Sequence, residues 1–445
     1  MLSRNFAVRI GSNTMLSSLT IWGGICMRRR MIPLTFSLAL LAAGCMAGAA
    51  SAGTIVLNDN RGAVETEAEP VTEDQFEFNE YKYEDGIGDT LYFLVVKNNS
   101  ESTVAFESNG TAKDSNGSVL GSAECSIDVL APGEQSIAYF YFNGVTGIDS
   151  VDYTKSFDTD PYYKPVLSNL DVEGNLNDQN ATITVTNKGS YAAQFVEAYA
   201  LFFDADNNVI RYSFNYVTDG DSEIKPGATL SAQLDSYDSY DHVEIYLTGR
   251  SDGSEGAASS SSVSDDDFEK KEYLYSNSFA TTDYLVITNN SESTVGITGN
   301  ATALDSSGNV IGAADCNIDV LGPGEQSICA FYFDNVQNVD HVEYQLSYSE
   351  DLYYKPVISN LDVQATINDS NVVVTATNKG EYAAQFVQAY VLFFDASGNI
   401  VDTGYGYITD DDSEIKPGAT LSEQIDAYES FDHVEVYLTG RASDF

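Results

Sequence analysis

Apolar and polar residues alternate with a period of two along much of the chain. Ala181, Ile183 and Val185 are interleaved with Thr182, Thr184 and Thr186, and Val434, Val436 and Leu438 with His433, Glu435, Tyr437 and Thr439. Such alternation gives a strand one buried and one wet face. Phe195 to Phe203 is apolar at both parities, which predicts a strand in the middle of a packed sheet. No long segment combines a 3.6-residue apolar period with helix caps, so helices are not expected. The aromatic content, 29 Tyr and 22 Phe in 445 residues, adds to the strand bias.

The same patterns return at a fixed distance. Asn98-Asn-Ser-Glu-Ser-Thr-Val104 recurs as Asn289 to Val295, Tyr162-Tyr-Lys-Pro-Val166 as Tyr353 to Val357, and Asp221 to Ser231 as Asp412 to Ser422, always 191 residues apart. Asp241 to Arg250 returns as Asp432 to Arg441 with one change, Ile245 to Val436. Each unit also echoes itself. Asp114-Ser-Asn-Gly-Ser-Val-Leu120, Asp204-Ala-Asp-Asn-Asn-Val-Ile210, Asp305-Ser-Ser-Gly-Asn-Val-Ile311 and Asp395-Ala-Ser-Gly-Asn-Ile-Val401 share one turn pattern. Its fourth position is Gly117, Asn207, Gly308 or Gly398, residue types that tolerate a left-handed backbone. Downstream, Pro132, Pro226, Pro323 and Pro417 each precede a glycine, the pair that suits the centre of a type II turn. The order is therefore A-B-A-B.

These repeats divide the chain into a leader (1–52), an acidic tether (53–73), A1 (74–155), B1 (161–250), a Ser/Asp-rich linker (251–267), A2 (268–348) and B2 (352–441). Six or seven short strands in each 80–90-residue segment predict an all-β chain of four immunoglobulin-like β-sandwich modules in tandem. The linker, with Gly-Ala-Ala-Ser-Ser-Ser-Ser and an acidic triplet, is expected to be a flexible hinge between two rigid pairs.

The layout of an Asn-Asn-Ser or Asn-Lys-Gly turn, a long apolar strand, an Asp-x-x-Gly hairpin and a Pro-Gly turn resembles the FxLYD-type modules of bacterial surface proteins and lipoproteins. The pentads before the hairpin are Ala200-Leu-Phe-Phe-Asp204, Val391-Leu-Phe-Phe-Asp395, Gly110-Thr-Ala-Lys-Asp114 and Ala301-Thr-Ala-Leu-Asp305, which share only the Asp. The resemblance implies β-sandwiches outside the cytoplasm and brings no catalytic residue with it.

Charge sharpens the picture. The formal net charge is −46, and the leader holds Arg4, Arg9, Arg28, Arg29 and Arg30 but no acidic residue. Without the leader, 16 basic residues face 67 acidic ones, a balance near −51 that repels phosphate backbones and argues against nucleic-acid binding. Arg28-Arg-Arg30, the apolar run from Met31 to Ala43 and the small residues after it form a secretory signal, with the start at Met27 or Met31. Two processing routes stand. Ala50-Ser-Ala52 is an A-x-A cleavage site, and Leu41-Ala-Ala-Gly-Cys45 resembles a lipobox that would attach a lipidated Cys45 to a membrane. Both routes end outside the cytoplasm, secreted or at the cell surface.

Candidate chemistry is sparse. His242, His341 and His433 have no nucleophile at a fixed spacing, so no enzyme is expected. Cys316 and Cys329 flank the Pro323-Gly324 turn symmetrically and are candidates for a disulfide between hairpin partners, whereas Cys125 faces Ala138 at the equivalent place. The repeated acidic loops Asp219, Asp221, Glu223 and Asp410, Asp412, Glu414 offer hard oxygen ligands for Ca²⁺, without EF-hand spacing; no other cofactor is indicated. Tyr237, Tyr240, Tyr428 and the Tyr162-Tyr163 pair are candidate sugar platforms, and the last pair is also a candidate module junction. The expected function is non-enzymatic binding or adhesion to an extracellular protein or glycan. The alternatives are a passive surface spacer and a Ca²⁺-stabilised or carbohydrate-binding module.

Overall fold

The structure is a computed structural model that describes residues 71–177, 179–218, 223–254, 263–350, 352–409 and 412–443, and the backbone of 55–57. The leader with Cys45, most of the tether, the centre of the linker, and Asp219, Asp221 and Asp410 lie outside the described residues. The described residues are all-β, in small and mostly antiparallel sheets consistent with β-sandwich packing, and contain no α-helix.

One strand lies in the segment read as a tether: β1 (Ile55–Leu57). A1 contributes β2 (Phe76–Glu84), β3 (Thr90–Asn98), β4 (Val104–Lys113), β5 (Val119–Leu130), β6 (Gln135–Phe142), β7 (Ser150–Tyr153) and β8 (Ser156–Asp158). B1 contributes β9 (Leu170–Leu176), β10 (Asn180–Asn187), β11 (Ala193–Gln194), β12 (Glu197–Phe203), β13 (Val209–Tyr216), β14 (Glu223–Ile224), β15 (Thr229–Asp235) and β16 (His242–Leu247). A2 contains β17 (Phe268–Ser276), β18 (Ala280–Asn289), β19 (Val295–Leu304), β20 (Val310–Leu321), β21 (Gln326–Asp334) and β22 (His341–Ser349). B2 contains β23 (Tyr354–Lys355), β24 (Leu361–Ile367), β25 (Asn371–Asn378), β26 (Ala384–Phe394), β27 (Ile400–Tyr407), β28 (Glu414–Ile415), β29 (Thr420–Asp426) and β30 (His433–Ser443).

Each segment lays two sheets against each other. A1 has β2-β3-β6 and β5-β4-β7, and A2 repeats this with β17-β18-β21 and β20-β19-β22. B1 has β15-β10-β9 and β16-β12-β13, and β1 joins the free edge of β16 in parallel. The tether is therefore not wholly unstructured: it donates a strand to a module it precedes by more than a hundred residues.

Two repeated motifs prove to be one device. Asn98, Asn187, Asn289 and Asn378 are buried. Their side-chain amides donate to a carbonyl four residues ahead and to a second carbonyl, at Leu130, Ile224, Leu321 and Ile415 respectively. Their backbone carbonyls accept the N–H of Gly133, Gly227, Gly324 and Gly418, the glycines of the Pro-Gly turns. Those glycines have φ of +85°, +81°, +74° and +79°, the left-handed position of a type II turn. A buried amide with every bond made specifies one geometry, which is why the pair returns four times.

The Asp-x-x-Gly hairpins are equally uniform. Asp114, Asp204, Asp305 and Asp395 each accept, on Oδ1, the N–H groups two and four residues ahead, between 2.8 and 2.9 Å. Gly117, Asn207, Gly308 and Gly398 sit at φ of +79°, +62°, +80° and +82°. The side-chain amides of Asn208, Asn309 and Asn399 in three of the turns, together with these N–H donors, hold all four carboxyls below the usual aspartate range. The one residue common to the four pentads is thus a turn cap.

A and B pack side by side, sheet on sheet. The outer face of β2-β3-β6 offers Leu91, Phe93, Val95 and Ile137, and the outer face of β16-β12-β13 meets it with Tyr199, Leu201, Phe203 and Tyr246. Tyr284, Val286, Ile328, Leu392, Phe394 and Tyr437 repeat the seam between A2 and B2. This accounts for the doubly apolar pattern of Phe195–Phe203: alternate residues serve the B1 core and the A1 seam. In each pair the middle strands, β3 and β12 or β18 and β26, are buried along most of both faces.

Candidate functional site

The A–B seam is closed by charged residues that the acidic chain keeps twice. Arg250 follows Gly249, whose φ of +154° bends the chain where a Cβ would meet Val196 at 3.2 Å. The bend lays the Arg250 guanidinium 4.3 Å from the centre of the Tyr163 ring and 4.7 Å from that of Phe195, while Nη1 pairs with Asp128 of A1. Arg441 repeats the arrangement with Tyr354, Phe386 and Asp319. Phe195 and Phe386 both have φ of +49°, a strained conformation for an aromatic residue. A second bridge is Glu134 of A1. It is fully buried, accepts the N–H of Ala131 and of Ser168 in B1 at 2.7 Å each, and has its carboxyl pushed up by burial. Glu325, also buried, accepts the N–H of Gly322 at 2.8 Å and that of Ser359 at 2.7 Å.

Beside this clamp lies an open cleft of about 690 Å³ between β5 and β6 of A1 and β12 and β13 of B1. Its rim carries Tyr141, Phe195 and Tyr216, each nearly half exposed. Its charged lining comes from Glu124, Asp128, Glu197 and Arg250. Tyr199 donates to Glu197 Oε2 at 2.7 Å. Burial, then the neighbouring Glu197 carboxylate, push the Tyr216 phenol up to about 12 and raise Tyr139 as well. Glu197 is thus a hydrogen-bond acceptor set among aromatic rings. Cys125 also lines the cleft, and its thiol is pushed up to about 12 by burial, which makes it unreactive. Ring faces beside fixed carboxylates and a guanidinium suit a ligand with flat C–H surfaces and hydroxyl edges.

In the second pair Tyr332, Phe386, Tyr390, Tyr407 and Arg441 stand at the equivalent positions, but Gln388 replaces Glu197 and Ala330 replaces Tyr139. Cys316 and Cys329 are disulfide-bonded there. The strands that carry them, β20 and β21, belong to different sheets, so the bond crosses the sandwich and does not join hairpin partners as the symmetric spacing suggested. The Pro323-Gly324 turn is a corner between sheets.

His242 stacks on Phe203 with ring centres 4.7 Å apart, His433 stacks on Phe394 at 5.0 Å, and His341 Nδ1 lies 3.1 Å from Asp340; none lines the cleft. Tyr240 is structural: its hydroxyl donates to the Asn177 carbonyl at 2.6 Å and its ring packs on Phe202. Tyr428 is almost fully exposed, Tyr237 is half exposed near Arg211, and Tyr162 and Tyr353 project outward from the clamped Tyr163 and Tyr354. Glu223 and Glu414 lie in the short strands β14 and β28. Lys416 Nζ is 2.8 Å from Asp412 and 3.5 Å from Glu414, and it holds the Asp412 carboxyl below its usual range. Among the described residues no group of three or more His, Cys, Asp or Glu is arranged around a metal position.

The cleft was not legible as a site, because its walls come from two segments more than fifty residues apart. One signal was available: Gly249-Arg250 and Gly440-Arg441 preserve a cation in a chain that has few. Compared with known proteins, the chain matches no family model and no curated protein.

Proposed function

We propose that this chain is a non-enzymatic, exported binding protein, secreted or held at the cell surface, built from four immunoglobulin-like sandwiches of FxLYD type. Its ligand is a carbohydrate polymer that enters the A1–B1 cleft. The observation that carries this reading is the cleft itself. Tyr141, Phe195 and Tyr216 offer ring faces beside Glu197 and the Asp128–Arg250 pair. Sugar rings stack their C–H faces on such aromatics, and their hydroxyls bond to fixed charges. The strongly negative surface disfavours acidic polysaccharides and points to neutral ones.

A glycan array followed by calorimetry on the full chain tests this reading. Neutral glycans are expected to bind, and Tyr216→Ala to weaken them about tenfold or more. No binding to any glycan, or binding unaffected by Tyr216→Ala and Phe195→Ala together, would overturn it and leave the passive spacer.

A further inference from the structure

B1 and A2 meet through polar outer faces, in a seam distinct from the A–B seams. Ser231, on the edge strand β15, presents its outward backbone to Asn300 of β19. Its N–H donates to Asn300 Oδ1 at 2.9 Å, and its carbonyl accepts Asn300 Nδ2 at 2.7 Å. Thr302 Oγ1 donates to Ser231 Oγ at 2.9 Å. Gln233 Nε2 donates to the Asp334 carbonyl at 3.0 Å, and Gln233 Oε1 accepts the Ala313 N–H at 3.4 Å. Asn175 Nδ2 donates to the Val310 carbonyl. Ser231, Gln233 and Asn300 are 2%, 8% and 7% exposed as a result.

The duplication places the same surfaces on A1 and on B2. On B2, Ser422 and Gln424 of the edge strand β29 occupy the positions of Ser231 and Gln233, and both are exposed. On A1, Asn109 and Thr111 occupy the positions of Asn300 and Thr302, and Asn109 is exposed. Several further contacts use backbone atoms, so the changes of Ala313 to Ser122 and Asp334 to Asn143 leave them available. Only the donor of Asn175 is lost, to Thr366.

From this we infer that the chain associates head to tail with further copies of itself, the β29 edge of one copy docking on the Asn109 face of the next as β15 docks on A2. A seam made of two different patches, one on B2 and one on A1, is heterologous, and it grows into a ring or a filament without using up either patch. A polar seam on a strongly acidic chain associates only where salt screens the mutual repulsion.

Sedimentation of the full chain over a range of concentrations in about 0.15 M salt tests the inference. The average mass should rise with concentration, and lowering the salt tenfold should weaken association. Asn109→Asp removes the amide donor on A1. Ser422→Pro removes the outward N–H on B2, on an edge strand where proline is tolerated. Both residues are exposed, so the fold is preserved, and each variant should associate at least about tenfold more weakly with itself. An equimolar mixture of the two should form dimers and no larger species, because one intact patch remains on each partner. A single-chain mass at every concentration up to about 1 mM, or association that neither variant weakens, would overturn the inference. Glycan binding by an unassociated chain would leave the cleft reading intact.

Discussion

The two A–B pairs share their turns, their buried asparagines and their arginine clamps, yet their interiors and clefts diverge. In A1 the Tyr92 hydroxyl donates to Glu80, and Tyr153 donates to the other oxygen of that carboxylate at 2.6 Å. In A2 Asp283 and Glu272 stand in place of Tyr92 and Glu80. Asp283 is fully buried, with neither oxygen bonded, and its carboxyl is raised to about 8 by burial and then by Glu272. Cys125 is free where Cys316 is bonded to Cys329. Glu197 and Tyr139 line a cleft where the second pair has Gln388 and Ala330. The comparison teaches that the repeat preserves what the backbone needs and varies what the interior and the cleft contain.

The largest effect should come from Asp283. Its carboxyl holds a proton to about pH 8 when folded but releases it near 3.8 when unfolded. The stability from this group is therefore fully present below pH 3.8 and is lost as pH rises through about 8. The difference across that window is on the order of 5 kcal/mol. Denaturant unfolding from pH 4 to 8.5, with hydrogen exchange followed in 268–334, should show A2 weakening relative to A1. Asp283→Asn should flatten that slope, and a slope unchanged by the substitution would break the comparison.

Reduction of the disulfide should come next. A loop of 13 residues corresponds to about 3 kcal/mol of unfolded-state entropy. Reductant should lower the urea midpoint of A2 and leave that of A1 unchanged.

A smaller and symmetric effect is expected at the clamp. Arg250→Lys and Arg441→Lys keep the charge but lose the planar stacking between two rings. Each should cost about 1 kcal/mol and increase hydrogen exchange along its own A–B seam. Unequal responses would show that the two clamps differ in ways their matched geometry does not reveal.

What was legible in the sequence follows from local physics. Asp114, Gly117 and Pro132-Gly133 act within a few residues, so their repetition exposes the turns directly. The period-two segments become strands because that alternation suits nothing else. The rest depends on which faces meet. Phe195–Phe203 announced burial on both sides, but nothing local said that its second partner is β3, some hundred residues earlier. The hairpin reading of Cys316 and Cys329 failed for the same reason: spacing about a turn does not say whether the chain folds back within one sheet or crosses to the other. Asp283 escaped notice because one carboxylate among 67 acidic residues carries no signal until its burial is known.

The claim that the first pair carries a ligand cleft rests most directly on Glu197, so the decisive measurement is calorimetric titration of a neutral glycan into the full chain and into Glu197→Gln. Loss of a charged acceptor should weaken binding about ten- to a hundredfold, with the unfolding midpoint unchanged. An affinity equal to that of the unaltered chain would contradict the assignment of the cleft.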